Sequence, residues 1–385
     1  MRARIWFCPR ARNVSGVVRR LAVALAFLCL PLLAVQRWNI QYSYHKLDSL
    51  IQLRDFTCPS TQRCIAAGVI AGKNGHEQGV VILTSDGGKN WSQLEVKDHP
   101  LSLFFLSDSL GWMVTDRGIW STSESGRSWT KLEGAKGARR VYFLDASHGY
   151  AVGFPKVVYE TTDGGKKWSV LAAAEKPATE ARETVYDCIY FSGEHGAILG
   201  NLISNEQGTP IWLDQDQARY RREHQTKVAL LETLDGGKQW KPSTIQIVGT
   251  IAQLRFAKDG SSILVVEYTN YFSLPSSVYK TDLGLQGAET IFEEKDRAVT
   301  DVAVLPDGSA IMASIEPPGS SNQVPIPGKL KMFESSNLKT WLEMGVDYRA
   351  VAQRAMLAAV DAQHVWVATD TGMILNLVDT ENRAR

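Results

Sequence analysis

The segment TTDGGKKW at Thr161–Trp168 recurs along the chain. It returns as TSDGGKNW at Thr84–Trp91, TSESGRSW at Thr122–Trp129 and TLDGGKQW at Thr233–Trp240. Fainter copies are TDLGLQG from Thr281 and SSNLKTW at Ser335–Trp341. A unit that repeats with a period of roughly 40 residues cannot bury its apolar face alone and must stack on its neighbours, as in a propeller or a solenoid.

The unit is longer than its motif. In Arg139–Leu171, Val141–Leu144 is apolar and aromatic, Asp145–Gly149 is a turn cluster, and Tyr150–Gly153 and Val157–Thr161 read as short strands. Asp163-Gly164-Gly165 marks a hairpin before a last strand at Trp168–Leu171. Short β-rich runs punctuated by Gly and Asp read as antiparallel strands, and four of them make one propeller blade. Asp in such a turn accepts backbone N–H groups just beyond it, and Gly supplies the positive φ. Thr adds a hydroxyl, and Trp offers an apolar face to wedge between blades. We read Thr84, Asp86, Gly88 and Trp91 as structural in this sense, with Thr161, Asp163, Gly165 and Trp168, Thr233, Asp235, Gly237 and Trp240, and also Trp129 and Trp341. Glu124 replaces Asp in the second copy, which predicts a looser turn.

The expected fold is an all-β propeller of seven four-stranded blades. They start near Leu53, Leu101, Arg139, Val185, Ile251, Val299 and Ala350. The fourth blade carries an insertion near Ile203–Lys227, and the sixth a Pro/Gly/Ser-rich loop at Pro317–Gly328. The seventh shows three strands, ending at Ile374–Val378, and an open sheet edge there is a liability. Trp38–Tyr44 (WNIQYSY) has strand character and is predicted to close the ring. The linear alternative, a β-solenoid, suits the uneven periods less well.

The pattern S/T-x-D-x-G-x-x-W resembles the Asp-box, or bacterial neuraminidase repeat. With HGYAVG before the third strand of the unit and FTCPSTQRCIAAG at Phe56–Gly68, the chain resembles the photosystem II assembly and stability factor family of propellers. The resemblance covers most of Leu53–Asp379. It implies a propeller that assists a membrane or envelope complex by presenting an arginine-rich patch to client membrane proteins. Nothing in the residues demands a photosynthetic host. Asp-boxes also occur in sialidases, xyloglucanases and sortilin-like receptors, and one fold hosts many functions.

Residues 1–16 are basic. Arg2, Arg4, Arg10, Arg12, Arg19 and Arg20 precede the apolar run Leu21–Val35 with no acid between them. Arginines before a hydrophobic stretch predict a cytoplasmic N-terminus with the rest outside. We expect an uncleaved signal anchor over residues 17–36, a propeller over 37–380 on the periplasmic side of the inner membrane, and a tail over 381–385. A cleaved signal peptide is the alternative. Trp38, Tyr42 and Tyr44 could instead sit at the membrane interface, which competes with the closing-strand reading. Cys58 and Cys64 flank a short turn between two strands, and a disulfide there agrees with export. Metal binding is the alternative, but no nearby His/Cys set completes a site. Cys188, in DCIYF, reads as a buried thiol.

Formal net charge is +1 with 22% charged residues, so no global charge directs the chain to nucleic acid. The Arg-Ile-Pro signature of sialidases is absent, and Glu267-Tyr268 are strand neighbours that face opposite ways. A xyloglucanase-type site needs two facing carboxylates. Asp145, Asp187, Asp301 and Asp307 are candidates that sequence cannot pair. His148-Gly149 and His195-Gly196 occupy the same place in their repeats, which points to a repeat role. No catalytic residue, cofactor or metal is therefore expected. The blade-four insertion carries Trp212, Arg219, Tyr220, Arg221 and Arg222. Arginines with aromatics are typical binding anchors, and long loops on a rigid scaffold tend to carry function. Arg139 and Arg140 add positive charge at a blade end. The expected function is non-catalytic protein binding to a membrane or envelope complex. The alternative is a carbohydrate-active propeller, either a glycosidase or a lectin-like glycan binder.

Overall fold

Five-residue strands such as Gly111–Thr115 and Gly149–Gly153 are buried at every position. A strand buried on both faces must lie between two packed sheets, and here the neighbouring sheets are the adjacent blades. The computed structural model describes residues 36–203, 225–268, 274–316, 320–321, 324–325, 328–347 and 349–379. They form seven blades with a four-strand antiparallel path in each. Blade 1 runs Ser49–Thr57, Cys64–Gly72, Glu77–Thr84 and Ser92–Val96. The inner strands of blades 2 to 6 are Pro100–Phe105, Ala138–Phe143, Thr184–Ser192, Thr250–Phe256 and Ala298–Val304. Each inner strand neighbours the next, and that of blade 7 neighbours that of blade 1.

Blade 7 takes Ala355–Asp361, His364–Thr369 and Met373–Asp379 from the end of the chain and Gln36–Ser43 from before blade 1. The early segment therefore closes the ring. Trp38 is 5% exposed within the blade 6–7 core, and Tyr42 packs on Trp91 with centroids 6.1 Å apart. These rings are thus part of the sheet packing. The anchor segment expected at 17–36 lies, but for its last residue, outside the described residues. Among the described residues no helix is long and apolar enough to cross a membrane.

The antiparallel path gives the ring two faces. Inner-to-second hairpins and Asp-box turns share one face, and second-to-third connections and blade crossings share the other. We call these the box face and the loop face. On the box face Thr161 Oγ1 donates to Asp163 Oδ1 at 2.9 Å and accepts Gly165 N–H at 2.9 Å, while Asp163 Oδ1 accepts Lys167 N–H at 2.9 Å. The Thr84 and Thr233 turns repeat these bonds. Gly165 has φ 91°, which a side chain rarely tolerates. In the second box the longer Glu124 reaches the Ser128 hydroxyl at 2.8 Å, a side chain where the aspartates of the other boxes reach a backbone N–H. In the Thr281 copy Leu285 stands at the Gly position with φ 58°, and the buried Thr281 hydroxyl is left without a partner.

Aromatic rings lock blade to blade. Trp112 stacks on Phe143 at 3.5 Å, Tyr150 stacks on Phe191 at 5.8 Å, and Trp240 meets Tyr150 edge-on at 5.4 Å. The same second strands reach the next blade's box: Trp112 Nε1 donates to Gly164 O and the Tyr150 hydroxyl to Gly237 O. At the closure Trp366 Nε1 donates to Gln41 Oε1, and Gln41 Nε2 donates to Gly87 O. The His-Gly repeat has a steric cause, because a Cβ on Gly149 would lie 2.5 Å from the Phe143 ring and one on Gly196 2.2 Å from Phe191. The histidines before them bond glutamates of the third strand, His148 to Glu160 and His195 to Glu232.

Cys58 and Cys64 form a disulfide across the first hairpin. Its Gln62 O accepts Gly87 N–H at 2.9 Å, which ties the hairpin to the blade-one box. Cys188 is a buried free thiol, and burial, with the Asp187 charge adding, pushes it up to about 12.

Candidate functional site

The inner strands carry an irregularity that the repeat motif does not announce. In blades 1 to 6 the pairing of inner and second strands skips one residue near the loop face. The skipped residues are Arg54, Leu101, Arg139, Asp187, Ala252 and Thr300. A bulge leaves its extra residue unpaired and re-aims the side chain. Repeated around the ring, it sets a collar of side chains at the loop-face mouth of the central channel. Blade 7 has its register shift at the other end, between Ala359 and Asp361, and Arg354 stands just before its inner strand.

Much of the collar is a clasp between blades. Asp55 Oδ2 accepts Leu103 N–H of blade 2 at 2.8 Å, and Asp301 Oδ2 accepts Leu357 N–H of blade 7 at 2.9 Å. These two aspartates hold the same place after their bulges. Ser102 donates to Arg139 O at 2.7 Å, and the Asn201 amide pairs with both backbone groups of Ile251. Arg255 binds Asp301 at 2.9 Å and lies over the Tyr190 ring at 5.4 Å.

What remains is mixed in charge, with exposed arginines standing near Asp187 and Glu267. Arg139 and Arg354 are exposed, and no ion pair to either guanidinium is found among the described residues. The Arg140 side chain is 35% exposed and lies 3.9 Å from Asp55. Burial would loosen its proton, but Asp55, with Cys188, Asp187 and Asp301 behind it, raises its pKa overall. Asp187 is pushed up by burial, against the pull of Arg140, the Asn201 amide and Arg139. Glu267 is exposed to water, and partial desolvation by the protein around it raises its pKa against Arg354, with Asp187 adding. Between blades 2 and 3 the mouth adjoins a groove of about 520 Å³ lined by Leu101, Asp116, Arg117, Lys136, Arg139 and Phe154.

The structure places Arg139 and Arg140 on this face. Trp212, Arg219, Tyr220, Arg221 and Arg222 lie outside the described residues. Their connection leaves blade 4 at Leu202 and returns at Gln225, and Leu202 pairs with Thr184 at the loop-face end. Glu267 pairs with Ser276 and Ile315 with Leu330 at the same end of blades 5 and 6.

The acidic candidates do not converge. Asp145 and Asp307 sit in box-face hairpins and accept the N–H groups of their own turns. Asp187 and Asp301 belong to the loop-face collar, and Asp301 is held by Arg255 and two backbone N–H groups. Tyr268 turns its hydroxyl to Tyr279 at 2.9 Å while Glu267 faces water. Among the described residues no group of three or more His, Cys, Asp or Glu could hold a metal ion.

Sequence reading missed the bulges, and with them Arg54, Asp55, Asn201, Arg255 and Arg354. The signal was present. Leu53-Arg-Asp-Phe56, Ala138-Arg-Arg-Val141, Tyr186-Asp-Cys-Ile189 and Val299-Thr-Asp-Val302 each place two residues between apolar positions where strict alternation allows one.

Residues 130–212 match the family described as Photosynthesis system II assembly factor YCF48. The photosystem II assembly lipoprotein Ycf48 of Synechococcus sp. (strain CC9902) is 29% identical over 144 residues, covering 33% of this chain and 42% of that protein. The chain is thus matched over less than half the length of this curated relative. A structure described as YCF48 bound to D1 peptide aligns over 89% of this chain and 96% of its own, with TM-score 0.56 and 14% identity. YCF48 from Cyanidioschyzon merolae aligns over 89% and 98%, with TM-score 0.54 and 16% identity. The fold is that of a photosystem II assembly factor-like β-propeller.

Proposed function

We propose that this propeller is a non-catalytic scaffold that binds a segment of a client membrane or envelope protein complex on its loop face. The observation that carries the reading is the collar. Asp55 and Asp301 clasp neighbouring blades, whereas Arg139 and Arg354 are exposed and have no ion-pair partner among the described residues. Exposed arginines beside a groove suit a peptide that carries carboxylates or backbone carbonyls, because guanidinium donates in a planar fork. A similar structure described as bound to a D1 peptide supports a peptide as the ligand class. The arginines and aromatics of the blade-four insertion would extend the same surface.

In this reading the chain is held at the membrane by residues 17–36, with the propeller on the periplasmic side. The disulfide and the arginines before the apolar run support that placement. The glycan-binding alternative is not favoured, since the candidate carboxylates lie on opposite faces or are engaged by backbone N–H groups.

The test is a crosslinking pull-down from native membranes. The intact chain is compared with a variant in which Arg139, Arg219, Arg221 and Arg222 are replaced by Gln. The expected result is a defined membrane-protein partner lost in the variant. No partner in either sample, together with binding on a polysaccharide array, would overturn the reading.

A further inference from the structure

In blades 3, 5, 6 and 7 an aspartate pins the hairpin between inner and second strands. Asp145, Asp259, Asp307 and Asp361 each accept backbone N–H groups of their own turn. The blade-one hairpin, Cys58–Cys64, contains no acid. It has the disulfide instead, with two long bonds to Ser60: its O accepts Arg63 N–H and its Oγ accepts Gln62 N–H, both at 3.3 Å. In the same hairpin Arg63 Nε and Nη1 are buried and have no hydrogen-bond partner among the described residues. A buried donor without an acceptor is costly, more so when it is charged. This hairpin therefore depends on its covalent staple more than the aspartate-pinned ones do.

The hairpin is also the first link of a hydrogen-bond relay that ends at the ring closure. Gln62 O accepts Gly87 N–H in the blade-one box at 2.9 Å. Gly87 O accepts Gln41 Nε2–H of the closing strand Gln36–Ser43 at 3.2 Å. Gln41 Oε1 accepts Trp366 Nε1–H of blade 7 at 3.0 Å. The fit at Gln41 is close, since a Cβ on Gly88 would lie 1.8 Å from its Oε1. Trp112 and Tyr150 reach the boxes of blades 3 and 4 directly, so the relay through Gln41 belongs to the closure.

We infer that the Cys58–Cys64 disulfide is a reversible exchange site for a dithiol reductant, and that its state sets how firmly the closing strand is held. Cys58 is only partly buried, whereas Cys64 is fully buried, so Cys58 is the sulfur within reach. A thiolate of the dithiol attacks Cys58 Sγ, and Cys64 leaves and takes up a proton. The second thiol of the reductant loses its proton and attacks the mixed disulfide, and Cys58 leaves and is protonated. The protein gains two electrons and two protons, and the dithiol becomes a disulfide. With the staple cut, opening of the hairpin relieves the desolvation of Arg63 and withdraws the Gln62 carbonyl from Gly87. Gln41 then loses the fixed turn that it bonds. The closing strand keeps its pairing in blade 7, so the closure loosens without unfolding the ring.

The experiment is hydrogen–deuterium exchange, read by mass spectrometry, on the full chain in detergent with and without dithiothreitol under native conditions. Alkylation at residues 58 and 64 reports reduction. After reduction the amides of Gln36–Ser43 should exchange several-fold faster, an increase larger than that at Ala310–Ile315, the buried second strand of blade 6. No alkylation under native conditions would overturn the exchange site. Equal increases at the two strands would overturn the latch, because a loss of global stability alone speeds core amides together. Gln41→Ala cuts the relay and leaves the disulfide in place. Its closing strand should exchange fast before reduction, and dithiothreitol should then raise it no more than Ala310–Ile315. A selective rise that persists in this variant would overturn the coupling through Gln41. The double variant Cys58→Ala/Cys64→Ala should show no response to dithiothreitol, and a selective response there would show that the effect does not come from this disulfide.

Discussion

Carboxylates of the box-face turns are displaced downward and Asp187, Glu267 and Asp370 around the loop-face mouth upward, while Asp347, on a loop-face crossing, is lowered by Arg349. On the box face the backbone and side-chain amides of Asn90 hold Asp86 down at about 2, and Ser147 with the N–H of His148 holds Asp145 at about 2. Asp163, Asp235 and Asp307 are lowered in the same way by their own turns. Around the loop-face mouth Asp187, Glu267 and Asp370 are raised, each first by burial. A carboxylate that folding improves is part of the scaffold. One that folding makes less comfortable is tolerated for another reason, and such groups gather at binding sites. On the reading proposed above, the box face serves stability and the loop face recognition.

The largest effect should come from breaking the closure on the box face. Trp366 is 1% exposed and bonds Gln41 of the early strand. Trp366→Ala should cost about 3–5 kcal/mol, as large-to-small changes of buried aromatics do, measured by urea denaturation. A loss below 1 kcal/mol would show that the closing strand does not hold the ring.

Next in size is the disulfide. It closes a loop of sequence separation six, so chain entropy gives it about 2 kcal/mol. Replacing Cys58 and Cys64 together by Ser should lower stability by that amount, and reductant should bring the wild type to the same melting curve. Thr161→Ala should cost at least about 1 kcal/mol, because the buried Gly165 N–H loses its acceptor. The equivalent change Thr281→Ala should cost less, since that hydroxyl has no partner to lose.

The Thr161 and Thr281 pair also shows how far the sequence could be read. Thr161, Asp163, Gly165 and Trp168 lie within one turn, so their roles follow from local geometry and a repeated string. The closing strand was legible as well, because a blade with three apparent strands left one early β-like segment unassigned. The collar is different. Arg54, Asp187 and Thr300 share no residue type, and the clasps join residues 37 to 56 positions apart, such as Ser102 with Arg139 and Asp301 with Leu357. Only the break in alternation marks such a place, and its meaning appears when the blades are set side by side. Asp301 shows the cost of reading acids one at a time, since an apparent catalytic candidate is a strut between blades 6 and 7.

The smallest stability effects concern pH. Lowered carboxylates contribute stability that is complete above the ordinary carboxylate range and is lost as pH falls toward about 2, the value for Asp86 and Asp145. Raised carboxylates act the other way: the fold prefers them neutral, and that preference is lost as pH rises through their raised values. Asp187→Asn should therefore raise the melting temperature slightly at neutral pH and leave it unchanged below about pH 4, where an ordinary aspartate is already protonated. Asp86→Asn should lower it at neutral pH, with the difference fading toward pH 2. Thermal melts across that range would check both signs, and equal behaviour of the two variants would erase the contrast between the faces.

The most direct measurement compares partner capture by two charge variants of matched melting temperature. One carries Arg139→Gln and Arg354→Gln on the loop face, the other Lys166→Gln and Lys238→Gln on the box face. The account predicts that the first loses the membrane-protein partner while the second keeps it. Loss of the partner in the box-face variant alone would contradict the assignment of recognition to the loop face.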